Sequence, residues 1–113
     1  MSVRNFDNEI HTLKDTPFGY TVQLISGKWK MVILYLLAEQ EKVRYNRIRE
    51  YIGTISDKTL TEQLRQMEAD GLITRIDRTP TIREYTLTGT GRSLVPIIEE
   101  LCYWGVDHMS KDS

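Results

Sequence analysis

The chain has 113 residues, 40% hydrophobic and 27% charged, with a formal net charge of −1. This suffices for one hydrophobic core and not two, so residues 16–113 read as a single domain behind a polar arm over 1–15. The longest apolar stretches, Met31 to Ala38 and Leu94 to Ile98, fall well short of the roughly 20 residues that cross a bilayer, and the N-terminus lacks a secretory pattern, so membrane association is excluded and a cytoplasmic location expected.

A single cysteine, Cys102, and two remote histidines, His11 and His108, exclude a disulfide framework and a zinc spacing. With no glycine-rich phosphate loop and no nucleophile or acid set, the chain is read as neither an enzyme nor a holder of a metal or cofactor.

Thr16 before Pro17 is an N-cap with proline at the first helical position, predicting a helix from about Pro17 to Ser26 that stops at Gly27. From Lys28, the apolar residues Trp29, Val32, Ile33, Leu36 and Leu37 recur at helical spacing and predict a second helix with one buried face. Val43 to Tyr45 is short and β-prone, after which Asn46 caps a third helix carrying Ile48, Tyr51 and Ile52 and ended by Gly53. Ser56 caps a fourth helix, in which Leu60, Leu64 and Met67 repeat until Gly71 terminates it. Two short helices joined by a tight turn form a helix-turn-helix arrangement. Leu72 to Arg78 and Ile82 to Thr88 then read as a hairpin with Thr79-Pro80-Thr81 at its tip.

The last segment, about 90–109, is apolar over more of its circumference than one domain can bury, through Leu94, Ile98, Leu101, Cys102, Trp104 and neighbours, and so requires a partner. Pro96 predicts either a bend or a helix that begins close to it.

The charge is uneven: from Lys42 to Arg83 nine Lys and Arg stand against six acids. With about 100° per residue, burying Leu60, Leu64 and Met67 turns Lys58, Glu62, Arg65 and Ala69 outward, flanked by Thr59, Thr61 and Gln66. Lys58, Thr61 and Arg65 are suited to guanine edges and phosphates, and Glu62 to a cytosine amine, although any solvated helix face has a similar composition. Arg44, Asn46 and Arg47 before and within the third helix, and Arg75, Arg78 and Arg83 on the hairpin, suit phosphates beside such a groove. Ion pairing with Glu50, Asp77 or Glu84 competes for these arginines, for Arg75 above all. Cys102 on an apolar face reads as an inert core thiol rather than a sensor. Trp29, Tyr103 and Trp104 read as core, or else as the lining of a pocket for an unknown small-molecule effector between subunits. His108 has no identifiable partner in the sequence and reads as solvated or packed at the edge of a dimer.

Several fragments in order carry a resemblance: Gly27-Lys28-Trp29-Lys30, then Ile55-Ser56-Asp57-Lys58-Thr59-Leu60-Thr61, then Leu64-Arg65-Gln66-Met67-Glu68-Ala69-Asp70-Gly71-Leu72-Ile73, then Glu84-Tyr85-Thr86-Leu87-Thr88, with Gly91, Leu94 and Leu101 to Gly105 including Trp104. From about Thr16 to Gly105 the chain resembles the HxlR-type winged helix regulators, relatives of the MarR group. The resemblance implies a mainly α winged helix-turn-helix (α+β), forming a homodimer through its terminal helices. It implies a sequence-specific transcriptional regulator with the helix at about 57–70 in the major groove, the hairpin at about 72–88 on the backbone as a wing, and double-stranded DNA with an inverted-repeat operator as target. The residues expected at DNA are Arg44, Asn46, Arg47, Ser56, Lys58, Thr59, Thr61, Glu62, Arg65, Gln66, Arg78 and Arg83. Those expected at the dimer interface are Phe18, Leu94, Ile98, Leu101, Cys102 and Trp104. Two positions depart from the family pattern: Thr16 stands where a cysteine is frequent, and Arg83 where an apolar residue is usual. The alternative is a winged helix kept for protein contacts without DNA binding.

Overall fold

A computed structural model describes residues 13–27 and 29–109. The expected arm therefore lies largely outside the described residues, and its last three, Leu13–Asp15, form one turn of 3-10 helix. Helix α1 spans Pro17–Ile25, with the Thr16 hydroxyl accepting from the Gly19 N–H as the sequence predicts. Helix α2, Lys30–Glu39, starts slightly later than Lys28 and buries Ile33, Leu34, Leu36 and Leu37, a broader face than the one predicted. The helices at Tyr45–Ile52 and Val95–Met109 and the strand at Ile82–Leu87 pack around it, so few of its sides stay wet.

Strand β1, Val43–Arg44, is only two residues long, because Tyr45 already opens α3, Tyr45–Ile52. Here the sequence reading needs correction: Arg44, not Asn46, occupies the cap position, and no side chain caps the helix. Pairing of Val43 and Arg44 with Tyr85 and Glu84 holds the backbone extended up to the first helical residue, which displaces the cap from Asn46. Gly53, at φ 81°, ends α3.

Helix α4, Asp57–Ala69, follows a Ser56 cap whose Oγ accepts from the Thr59 N–H at 3.1 Å. Ser56→Ala is expected to lower the unfolding free energy by about 1 kcal/mol, measured by urea denaturation. The helix closes with a Schellman motif: Gly71 at φ 76° donates to the Glu68 carbonyl, and Leu72 donates to that of Met67. Leu72 and Met67 are both fully buried, which fixes the direction in which the chain leaves the helix.

Strands β2, Ile73–Thr79, and β3, Ile82–Leu87, form the hairpin, and the sheet order is β1-β3-β2, all antiparallel. The Thr79 Oγ1 accepts from the N–H groups of Thr81 and Ile82, bracing the tip. The four-residue helix α5, Gly89–Arg92, is capped by Thr88, and α6 runs over Val95–Met109. Pro96 thus lies in the first turn of α6, so of the two predicted outcomes the helix begins beside it.

One core joins these elements: Ile33, Leu34, Leu37, Ile48, Leu60, Leu64, Met67 and Leu72, closed by Tyr85 and Leu87 from the sheet and Ile98 from α6. Burial pushes the Tyr85 hydroxyl above its ordinary pKa. No helix among the described residues is long and apolar enough to cross a membrane.

Candidate nucleic-acid interface

Burial of Leu60, Leu64 and Met67 sets the rotation of α4, and Lys58, Glu62, Arg65 and Gln66 are exposed while Thr59 and Thr61 are half-buried. The outward face is therefore the predicted one. Among the described residues, Lys58, Arg65 and Arg47 have no ion-pair partner, so their charges are open to an incoming anion. Ser56 and Thr59, also expected at DNA, hydrogen-bond each other at 3.0 Å as part of the helix cap.

The hairpin arginines are more constrained. Glu84, only 14% exposed, holds Arg78 through its Nε at 2.6 Å and lies 3.9 Å from Arg44. Arg75 pairs with Asp77 at 3.3 Å, as its sequence context suggested. The guanidinium of Arg83 lies 5.0 Å from the centre of the Tyr45 ring, a cation–π distance. Asn46 and Arg47 are exposed on the first turn of α3.

Between α3, α4 and the hairpin runs a polar cleft of about 400 Å³, lined in part by Arg44, Asn46, Arg49, Thr61, Thr81 and Arg83. Three of its residues escaped the sequence reading. The Tyr45 hydroxyl donates to Asp57 Oδ1 at 2.9 Å, and Arg49 Nε lies 3.3 Å from the same carboxylate oxygen. Tyr45 belongs to the β-prone stretch of the sequence, and Asp57 and Arg49 carry no assigned role there beyond the charge count and, for Asp57, one of the family fragments. Their 12- and 8-residue separations carry no periodic signal, so only the packing of α3 against the start of α4 brings them together.

The residues expected at a dimer interface divide in two. Phe18 (69% exposed), Leu101 (52%) and Trp104 (64%) stand open on α1 and α6, and Cys102 is exposed rather than a core thiol. Ile98 must be reassigned: at 6% exposure it belongs to the monomer core, because its phase on α6 turns it toward α2. Leu94 and Trp29 are half-buried against the same core. His108 is exposed, and it does have a partner: it stacks on Trp104 with ring centroids 3.9 Å apart and its Nδ1 lies 2.8 Å from the Trp104 carbonyl oxygen. Four residues apart on one helix face, the two rings are neighbours by geometry.

The HxlR-like helix-turn-helix family model matches residues 24–113. An HTH-type transcriptional regulator of Halalkalibacterium halodurans is 48% identical over 112 residues, covering 97% of this chain and 99% of its own. The solved structure of an HTH-type transcriptional regulator, YtcD, superposes with a TM-score of 0.76 at 40% identity, covering 84% of this chain and 98% of its own. The redox regulator HypR in its reduced form superposes with a TM-score of 0.77 at 34% identity, covering 87% of this chain and all of its own.

Proposed function

The chain belongs to the HxlR-like helix-turn-helix family and is a DNA-binding transcription regulator, not an enzyme, and from that premise we propose that it works as a homodimer on an inverted-repeat operator. In this reading α4 enters the major groove and reads bases through Lys58, Thr61, Glu62, Arg65 and Gln66. Arg44, Asn46 and Arg47 meet the phosphates on one side, with Arg78 and Arg83 of the wing on the other. The observation that carries it is the outward face of α4, where Lys58 and Arg65 have no acidic partner among the described residues, framed by the wing. A protein-contact module without DNA binding finds no support in relatives named as transcription regulators.

Two copies joined through α1 and α6 would set their recognition helices about 34 Å apart, one turn of DNA. Acting on chromosomal DNA, such a regulator belongs in the cytoplasm. A small-molecule effector would find an apolar groove between α2, α3 and α6, lined by Met31, Val32, Tyr35, Tyr51 and Leu101.

Arg65→Ala tests the assignment. If Arg65 reads a base, specific affinity falls by about 1–3 kcal/mol and the preference relaxes at one position of each half-site. Electrophoretic titration against a panel of single-base variants measures both. An unchanged affinity together with an unchanged preferred sequence would remove Arg65 from the interface.

A further inference from the structure

Three elements of the DNA-binding reading meet at one side chain. Tyr45 opens α3, and its hydroxyl donates to the carboxylate of Asp57, the first residue of α4. The same oxygen lies 3.4 Å from Thr61 Oγ1, one turn further along α4. The other side of the contact is the wing, whose Arg83 sits over the Tyr45 ring.

Asp57 would otherwise be out of place. A carboxylate in the first turn favours the helix dipole, yet it also lies at the end of α4 that approaches phosphates. Arg49 and the Tyr45 hydroxyl both address its Oδ1, so one face of the carboxylate is held by partners within the protein.

We infer that Tyr45 is a positioning residue that sets the separation and angle between the recognition helix and the wing, its hydroxyl tying down the start of α4 and its ring seating Arg83. The inference rests on the DNA-binding reading above. A winged helix must engage a groove and the flanking backbone at once, and a misplaced wing costs most where the fit to DNA is tightest. Loss of the hydroxyl therefore lowers specific binding while sparing the loose, mainly electrostatic binding to any duplex.

The experiment uses the full chain and two probes: a duplex selected by the wild-type protein from a random-sequence library, and a scrambled duplex of equal composition at the same salt. Tyr45→Phe keeps the ring and removes only the donor. It is expected to weaken binding to the selected duplex roughly tenfold, with affinity for the scrambled duplex unchanged and the Tm lowered by a few degrees at most, the cost of one exposed hydrogen bond. Asp57→Ala should reduce the preference for the selected over the scrambled duplex by a similar factor, since the charge it removes acts on both duplexes alike, and the double variant should show no further loss of preference. Equal loss on both duplexes, an undiminished preference in Tyr45→Phe, or additive losses of preference in the double variant overturns the inference. A library that yields no enriched duplex with wild-type protein overturns the DNA-binding reading itself, and the inference with it.

Discussion

Changing Leu101 and Trp104 together to glutamate is expected to leave a folded monomer that binds its operator about 10²–10⁴-fold more weakly, the loss that follows when two linked half-site contacts become independent. The fold itself does not depend on these side chains. From Leu101 onward α6 is exposed except at Gly105, with Val106 and Met109 at 63% and 72% alongside Leu101 and Trp104. Phe18 and Tyr20 add 69% and 64% exposed aromatics on α1, a helix that packs chiefly against the turn preceding it. The proposed dimer would cover this apolar surface, and two carboxylates buried at its centre would cost more than the contact returns. Sedimentation velocity reads the oligomeric state, and circular dichroism verifies the fold. A stable dimer in the double variant would move the interface away from α6.

The second large effect concerns packing. Gly91→Ala is expected to lower the unfolding free energy by about 3 kcal/mol, the upper part of the usual range for overpacking, and hence to lower the Tm by on the order of 10–20 °C. A Cβ at Gly91 would fall on the backbone carbonyl of Leu72 and also press on the Leu87 side chain. That carbonyl accepts from the Thr88 N–H, while the Thr88 Oγ1 bonds Gly71 and caps α5. The wing is thereby stitched at both of its ends to the helix that leads into α6, and the Leu72 backbone has little room to yield. Gly89→Ala, two residues earlier with open space around its Cβ position, serves as the control and should change stability by less than about 1 kcal/mol. Thermal unfolding of the pair decides the matter: matching midpoints would show that the α5–β2 junction relaxes freely.

Most of the architecture is legible in the residues because it rests on local rules. Thr16 and Ser56 cap their helices, and Gly53 and Gly71 end theirs at positive φ. The three-residue and four-residue recurrence of Leu60, Leu64 and Met67 sets which face of α4 looks outward. The hairpin follows from β-prone runs on either side of Pro80. Where the reading strayed, a non-local contact had overridden a local preference. Asn46 is the better capping residue, but the pairing of β1 with β3 places the start of α3 at Tyr45.

What the amino-acid sequence determines by itself, then, is the order of the helices and strands, the outward face of α4 and the surplus apolar surface of the last helix, since each depends on residues within a few positions of one another. The tertiary structure alone decides which arginines have an acidic neighbour among the described residues and which have none. Glu84 engages Arg78 and Arg44, Asp57 engages Arg49 and Tyr45, and Ile98 turns into the core while Leu101 does not. Those outcomes depend on side chains brought within a few ångströms by the packing of separate elements, and charge interactions fall off too steeply with distance for their partners to be assigned along the chain.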